Sequence, residues 1–346
     1  MVKFLIAPDK FKGSLGARDV GKAIAAGIRD VEACAEIAIM PIADGGEGTA
    51  DVICGAAEGE WHACEVRDPL GRIVTARYCT IDDGATAVME MSEASGMWRI
   101  APGDRDIALA STFGTGQTLL DATRRGVREI IIGLGGSATN DGGFGMARAL
   151  GFRFVGSRER ELHGSVLELS ELERIETPVD LWLPAITAAV DVRNPLLGAS
   201  GATRIFATQK GARAEELDLL ERALARLADI AARDLGANYR DAAGAGAAGG
   251  LGFGLMTFCG ARLRSGFDVV AERIGLAEAV RNSDIVITGE GRLDSQTAQG
   301  KAPAGVAKLA RAAGKKVFAI VGSAEDDESA RALFDNVWPL ARAPIT

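Results

Sequence analysis

The sequence predicts an α/β protein in which a parallel, doubly wound sheet is interrupted by a second α/β domain. Short apolar segments alternate with helical segments at both ends of the chain, as in βαβ units. The middle of the chain has a different pattern that includes a hairpin. A length of 346 residues also fits two domains better than one.

The outer domain is predicted from five apolar strands separated by helices. The N-terminal part contributes strands at 4–7 and 36–42 and helices at 17–28 and 49–57, with Ser14 placed to cap the first helix. The same alternation returns near the C-terminus, with strands at 285–288, 317–321 and 337–340 and helices at 303–313 and 330–334. Five strands of this kind predict a parallel sheet covered on both faces.

The predicted insertion lies between these two parts. Residues 61–80 alternate around Asp-Pro-Leu-Gly at 68–71, which is typical of a hairpin. Further elements are predicted as strands at 87–91, 129–132 and 186–190 and a helix at 115–125. The predicted boundaries are therefore 1–62 and 283–346 for the discontinuous outer domain and 63–282 for the larger inserted α/β domain.

Composition excludes several classes of function. A net charge of −8 gives no support for general binding to nucleic acid or an anionic membrane, although a local anion site is still allowed. Residues 242–261 carry no charge, but their many glycines predict tight turns and not a membrane helix. We expect no nucleic-acid or membrane partner, and a monomer or homodimer that binds a small molecule.

The cysteines and histidines narrow the chemistry. Five scattered cysteines without a C-x-x-C pair, in a chain without a secretory signal, predict reduced thiols and a cytoplasmic location. Only two histidines are present, His62 and His163, which excludes a histidine-rich metal site and disfavours a Ser-His-Asp triad. A general base is therefore expected to be a carboxylate or a lysine.

The first polar cluster, APDKFKGS at 7–14, follows a predicted strand. Lys12 and Ser14 at the entrance to a helix suit an anion, because free backbone N–H groups are available there. The alternative is that Ser14 is only an N-cap and the lysines are solvated. Taken alone, this cluster favours the alternative.

The second cluster, ADGGEGT at 43–49, places three glycines and two carboxylates in one loop. Asp44 and Glu47 could hold Mg²⁺, which binds one or two carboxylates together with phosphate oxygens and water. A tight turn with Glu47 near a helix N-terminus explains the pattern equally well.

The third cluster, GLGGSATNDGG at 133–143, contains G-x-G-x-x-A after a strand, so a dinucleotide site must be considered. Gly142, Gly143 and Gly145 would weaken the helix that such a site requires. A phosphate or nucleotide loop with Asn140 and Asp141 as polar contacts fits better.

Two more strand ends carry polar residues. DVRNP at 191–195 places Asp191 and Asn194 after a strand, although an Asn-Pro turn is the simpler explanation. TGEGRLDSQTAQGK at 288–301 brings Glu290, Arg292 and Asp294 after another strand, and ends in Lys301. Since ligands bind at the carboxyl ends of parallel strands, these positions favour a binding site.

The missing motifs also restrict the function. The chain has no Walker A loop, no G-x-S-x-G elbow and no H-R-D or D-F-G set. Several glycine-rich loops with carboxylates and isolated cations on a two-domain α/β frame still favour phosphoryl transfer.

The five segments together resemble the bacterial glycerate kinase family, the type that takes part in glyoxylate and glucarate catabolism. The matching segments are APDKFKGS, IADGGEGT, GLGGSATNDG, DVRNPL and TGEGRLDSQTAQGKAP, and their order covers essentially the whole chain. Lys10 departs from that pattern, in which serine is common. The resemblance implies a flavodoxin-like outer domain and phosphorylation of D-glycerate by ATP and Mg²⁺, at the 2-hydroxyl.

The chemistry of a small hydroxy acid then suggests roles at these positions. Arg292 would bind the carboxylate, because a guanidinium can do so bidentately, and Asp191 is the favoured base, with Asp294 second. The remaining candidates are Lys12 beside the reacting groups; Asp9, Ser14 and Asn194 for the substrate; Gly135, Gly136, Ser137, Asn140, Asp141 and Lys301 for the nucleotide; and Asp44, Glu47 and Glu290 for Mg²⁺.

Three alternatives remain open from the residues. The product could be 3-phosphoglycerate. The glycine-rich loop at 133–138 could serve an NADP-dependent reductase, with Arg153 or Arg158 near the 2′-phosphate. The protein could also be a non-catalytic sensor of a nucleotide or an acid.

Overall fold

The computed structural model of the chain describes residues 1–294, 297, 301–325 and 328–341. The chain divides into two compact units: unit 1 comprises Met1–Ala57 and Ser265–Thr346, and unit 2 comprises Glu58–Arg264. The strands are β1 (Lys3–Pro8), β2 (Glu36–Ile39), β3 (Glu60–Arg67), β4 (Ile73–Ile81), β5 (Thr86–Glu90), β6 (Glu129–Gly133), β7 (Arg153–Gly156), β8 (Leu172–Glu176), β9 (Ala185–Val190), β10 (Arg262–Ser265), β11 (Ile285–Gly289), β12 (Arg292–Leu293), β13 (Lys316–Val321), β14 (Ser323–Ala324) and β15 (Asn336–Pro339).

The helices vary widely in length. The α-helices are α1 (Ala17–Val31), α2 (Thr49–Ala56), α3 (Ser92–Ser95), α4 (Phe113–Arg124), α5 (Phe144–Ala149), α6 (Ala202–Phe206), α7 (Leu217–Leu235), α8 (Ala247–Cys259), α9 (Gly266–Arg273), α10 (Leu276–Arg281), α11 (Ala302–Ala312) and α12 (Glu328–Arg331). Short 3-10 helices occupy Met97–Arg99, Pro102–Asp104, Ser157–Glu159, Val166–Glu171, Thr208–Lys210 and Ala214–Glu216.

Within the described residues, unit 1 is built on a five-stranded sheet in the order β15-β13-β11-β1-β2. The strands pair in parallel. Counted along the chain within this unit, the order is 2-1-3-4-5, which is the flavodoxin-like order. The predicted fold class is confirmed, and each predicted outer-domain strand forms.

The start of α1 differs from the prediction. Ser14 does not cap this helix: the N-cap is Gly16, which makes no side-chain cap hydrogen bond. The reason is a tight turn before it, in which Phe11 N donates to Leu15 O at 2.8 Å and Leu15 N donates back to Phe11 O at 3.0 Å. This turn delays the helix and leaves Ser14 exposed.

Helices α9 and α10 belong to unit 1, although the predicted insertion runs to residue 282. A Cβ atom on Gly266 would lie 1.8 Å from the Asp44 carbonyl oxygen, and one on Gly305 would lie 2.3 Å from the Phe267 ring. These close approaches tie α9 to the second polar loop and to α11. The other junction also differs from the prediction. Unit 2 starts at Glu58, just before β3 begins at Glu60, whereas the predicted insertion starts at residue 63.

An apolar groove of about 900 Å³ lies between α1 and the sheet of unit 1. Its lining includes Ile24 and Ile28 of α1, Ile287 of β11, Ile320 of β13 and Trp338 of β15. Trp338 is 45% exposed. Within the described residues, unit 1 therefore leaves an open apolar groove between α1 and this face of the sheet.

Unit 2 contains a mixed six-stranded sheet in the order β10-β9-β6-β5-β4-β3 within the described residues. Strands β3 and β4 form the predicted hairpin, with Glu60 opposite Thr80 and Arg67 opposite Ile73. Strands β5, β6 and β9 are parallel neighbours. The core of this unit includes α7, which the sequence analysis did not predict.

The prediction of tight turns over 242–261 is wrong for its second half, which forms the buried helix α8. Inside this helix, left-handed backbone geometry occurs at Ala248, Gly249 and Gly250, which have φ of 53°, 67° and 89°. A Cβ atom on Gly254 would lie 2.6 Å from the Gly142 carbonyl oxygen. The glycines therefore let the helix pack directly on the loop that follows β6. Among the described residues, no helix has the length and apolar character needed to cross a membrane.

Candidate active site

Two of the predicted polar clusters meet at one position in unit 1. Strands β1 and β11 are parallel neighbours, with Pro8 opposite Gly289, so both clusters start at the same edge of the sheet. Asp9 N donates to Gly289 O at 2.8 Å. The chain leaves β1 for β2 on one side and β11 for β13 on the other, so this is the switch point at which doubly wound sheets bind ligands.

Two buried carboxylates lie at this switch point. Asp9 is 8% exposed and Glu290 is 6% exposed. Burial raises the pKa of Asp9 to about 6, with Lys10 opposing the shift and Asp44 adding to it. Burial also raises the pKa of Glu290 to about 7, against a 2.6 Å hydrogen bond donated by the Thr297 hydroxyl. Both carboxylates lack the solvent that stabilises their charge, so a cation or cationic ligand group would be favoured here.

Two lysines lie beside these carboxylates. Lys10 Nζ donates to Glu47 O at 2.6 Å and lies 4.0 Å from Asp9 Oδ1. Lys301 Nζ lies 3.4 Å from Asp294 Oδ1. The structure therefore places Asp9, Glu290, Asp294 and Lys301 in one charged cluster and adds Lys10, which had no assigned role in the sequence analysis.

The Arg292 side chain is already engaged in an ion pair within the protein. Its guanidinium pairs with Glu325, and that hydrogen bond raises the pKa of Arg292. The pairing of β12 with β14 brings the two residues together. A substrate carboxylate at Arg292 must therefore compete with Glu325. Lys12 and Ser14 are exposed, while residues 295, 296 and 298–300 of the fifth segment lie outside the described residues.

The predicted magnesium ligands are only partly brought together. Asp44 is half-buried, and its Oδ1 accepts a hydrogen bond from Gly46 N at 3.1 Å. Glu47 is exposed and contacts Lys10 through its backbone carbonyl. Over the described residues, no group of three or more His, Cys, Asp or Glu side chains could hold a metal. Mg²⁺ needs only one or two protein carboxylates when it also binds phosphate oxygens, so the hard oxygen donors Asp44 and Glu290 still fit it.

In unit 2, the glycine-rich loop and Asp191 follow adjacent strands. Gly133 of β6 pairs with Ala189 of β9, and Leu134 N donates to Ala189 O at 3.2 Å. The loop that contains Gly135, Gly136 and Ser137 therefore leaves the same edge of the sheet as Asp191. Asp191 is exposed.

Asn194, also after β9, makes a contact within its own loop. Asn194 Nδ2 donates to Ser200 O at 2.7 Å. The substrate role of Asn194 stays a prediction, since the amide already closes this loop.

Asp141 holds the loop in place. Its fully buried carboxylate accepts hydrogen bonds from Thr112 N and Thr112 Oγ1, both at 2.8 Å, from Gly145 N at 3.0 Å and from Gly143 N at 3.1 Å. These contacts occupy both oxygens, so the geometry favours a structural role for Asp141 over contact with a nucleotide. The helix after this loop, α5, has only six residues, which does not favour the dinucleotide interpretation.

Sequence reasoning missed Lys210, which is 4% exposed. Its Nζ donates to Thr139 O at 2.7 Å and to Ser137 Oγ at 3.3 Å, both in the glycine-rich loop. Burial lowers its pKa to about 7, and the charge of Asp141 opposes that shift. A single lysine between polar residues usually indicates an exposed side chain, so the sequence carries no signal for this contact.

The lowered pKa of Lys210 predicts a pH-dependent stability. Between pH 7 and the ordinary lysine value of 10.5, the unfolded chain holds a proton that the folded chain has released. The contribution of Lys210 to stability therefore rises as the pH rises through this range. We expect the Tm of Lys210→Met to be higher than that of the wild type at pH 6. The difference between the two Tm values should narrow towards pH 9.5. A gap that stays constant would contradict the assigned shift.

The geometry defines an α/β protein whose buried carboxylates and lysines at a switch point suit an anionic ligand and its cation. The model of the glycerate kinase family matches residues 4–346. The chain belongs to this family, as the resemblance predicted.

Relatives agree over nearly the whole chain. It is 43% identical over 329 residues to a glycerate kinase of Haemophilus influenzae. These aligned residues cover 94% of this chain and 87% of the relative. It is 41% identical over 329 residues to the glycerate 2-kinase of Escherichia coli K12, covering 94% and 86%. A crystal structure assigned to glycerate kinase 2 of Salmonella typhimurium LT2 superposes with a TM-score of 0.87 at 41% identity, covering 98% of this chain and 90% of that one.

Proposed function

We propose that this protein transfers the γ-phosphoryl group of ATP to the 2-hydroxyl of D-glycerate, forming 2-phosphoglycerate and ADP. The observation that carries the proposal is the cluster of Asp9, Glu290, Lys10 and Lys301 at the switch point of unit 1. Such a cluster suits a small anionic acceptor together with a polyphosphate and its metal ion. The names of the relatives support the choice of glycerate.

The transfer requires a base, a carboxylate-binding cation and neutralisation of phosphate charge. The acceptor oxygen forms a bond to the γ-phosphorus while the bond from that phosphorus to the β–γ bridging oxygen breaks, and the hydroxyl proton passes to the base. We assign that base to Asp191, with Asp294, which lies in an ion pair with Lys301, as second choice. Lys12 and Lys301 are assigned to the phosphates, and Arg292 to the carboxylate of glycerate.

We assign the metal to Asp44 and Glu290, with Glu47 as a further ligand. When bound, Mg²⁺ would neutralise charge on the phosphates during transfer. In this proposal ATP lies against Gly135, Gly136, Ser137 and Asn140.

The experiment that tests the function is incubation with ATP, Mg²⁺ and D-glycerate, followed by phosphorus NMR of the product. We expect 2-phosphoglycerate and a stoichiometric amount of ADP. If 3-phosphoglycerate forms, the regiochemistry is wrong but the kinase assignment stands. ATP binding without ADP release would support a sensor, and saturable NADPH binding that ATP cannot displace would support a reductase.

The role of Arg292 gives a separate prediction. We expect Arg292→Ala to raise the KM for D-glycerate by about 10- to 100-fold, because a charge-assisted hydrogen bond contributes about 1.5–3 kcal/mol. Steady-state kinetics at saturating ATP would measure this change. Glu325→Gln is the matched control, since it removes the competing partner and should leave this KM equal or lower. An unchanged KM in Arg292→Ala would exclude the assignment.

A further inference from the structure

Lys210 reaches the glycine-rich loop from a neighbouring segment of unit 2. It ends the 3-10 helix Thr208–Lys210, which Gly211 terminates with a φ of 102°. A Cβ atom on Gly211 would lie 2.9 Å from Arg105 Cβ, so this turn is packed tightly. The turn fixes the lysine so that its ammonium meets the Thr139 carbonyl and the Ser137 hydroxyl.

The burial of this ammonium costs stability. Among the described residues, its hydrogen bonds go to two uncharged oxygens, and no carboxylate lies within ion-pair distance of it. Asp141 is the acidic group that acts on it, but the Asp141 oxygens are taken up by Thr112, Gly143 and Gly145. Replacing a buried charge with an apolar group of similar volume is often neutral or stabilising. Stability alone therefore does not explain a lysine at this position.

The same segment contacts the loop at a second point. Thr203 of α6 accepts a 3.1 Å hydrogen bond from Asn140 Nδ2. Asn140 is fully buried, and in the described part of the chain its Oδ1 has no hydrogen-bond partner. A buried amide oxygen without a partner is costly unless something else supplies a donor. Residues 203–210 thus contact the loop that carries the Asn140 side chain. The Oδ1 atom of this side chain, which has no partner in the described residues, lies in the candidate nucleotide loop.

We propose that Lys210 is a positioning residue for the nucleotide, acting through residues 137–140 of the glycine-rich loop. Its ammonium fixes the Thr139 carbonyl and the Ser137 hydroxyl, and thereby sets the orientation of Asn140. When it is protonated, the Lys210 side chain also places a positive charge behind a loop that would receive phosphate oxygens. This inference rests on the proposed kinase function.

The test is steady-state kinetics of Lys210→Met together with its Tm. Methionine has a similar length but neither donates hydrogen bonds nor carries charge. We expect the KM for MgATP to rise by about tenfold or more, corresponding to loss of one or two hydrogen-bonded contacts. The KM for D-glycerate should stay within about twofold, and the Tm at pH 7 should be equal to or above that of the wild type.

A matched control separates positioning from stability. Tyr78→Phe removes a 2.6 Å hydrogen bond to Asp121 elsewhere in unit 2, so its Tm should fall while both KM values stay unchanged. Thr203→Val provides a second, milder variant, because it removes only the acceptor for Asn140 Nδ2 and should also raise the KM for MgATP.

The outcomes separate this inference from the function itself. If the wild type makes no phosphoglycerate, the proposed function fails before any variant is measured. If the wild type is active and both Lys210→Met and Thr203→Val keep the wild-type KM for MgATP, Lys210 is not a positioning residue. A rise confined to the KM for D-glycerate would also overturn the assignment to the nucleotide.

Discussion

Asp191→Asn is expected to lower kcat by about 10²- to 10⁴-fold, the range typical for loss of a general base. Asparagine keeps the size of the side chain but cannot accept the hydroxyl proton. Asp191 lies directly after β9 and is exposed, so the change should leave the fold intact. Turnover at saturating substrates would measure kcat, and calorimetric titration with a non-hydrolysable ATP analogue should give a Kd close to that of the wild type.

Two variants make this result specific. Asp180→Asn removes another exposed aspartate of unit 2, from the segment before β9, and should leave kcat unchanged. Asp294→Asn tests the second choice of base. If Asp191→Asn turns over at nearly the normal rate while Asp294→Asn does not, the two roles must be exchanged.

The second large effect is expected from Glu290→Gln. The glutamine can still accept the hydrogen bond from the Thr297 hydroxyl, so the local packing is retained while the charge is lost. We expect the Mg²⁺ concentration for half-maximal activity to rise by about 10- to 100-fold. Because burial disfavours the charged carboxylate, the same change should not lower the Tm at pH 8.

Titration of activity with Mg²⁺ at fixed ATP would measure this shift. Glu36→Gln is the control. Glu36 is exposed and pairs with Lys3 at the amino-terminal ends of β1 and β2, whereas the site lies at the carboxyl ends of the strands. An unchanged Mg²⁺ dependence in Glu290→Gln would exclude Glu290 as a ligand and favour Asp44 alone or with Asp9.

The sequence predicted the sheet of unit 1 because its strands are short apolar runs flanked by helices. It also predicted the switch-point residues Asp9, Glu290 and Asp294, since polar residues directly after parallel strands gather at one edge of a sheet. These inferences use only local sequence patterns, and the folded chain keeps the strands and strand ends that those patterns predict. Pairing of Arg292 with Glu325 was not predictable, because it depends on the register of β12 against β14.

The incorrect predictions arise from contacts that the residue pattern does not show. Ser14 has the chemistry of a cap, but the turn of residues 11–15 places it before the helix. The glycines of 249–254 suggested turns, yet several are there so that α8 can contact the Gly142 and Thr139 carbonyls. Lys210 is buried by segments far from it along the chain, so the residues around it in the sequence do not indicate that it is buried.

The apolar groove that the described residues of unit 1 leave open affects how the folded protein behaves with fluorescent probes. A groove of about 900 Å³ that includes exposed Trp338 offers a site for environment-sensitive dyes such as ANS. The native protein should therefore fluoresce with such a dye before any unfolding, and a bright signal at low temperature would not indicate a molten state. Melting curves for the variants are better recorded by circular dichroism or calorimetry.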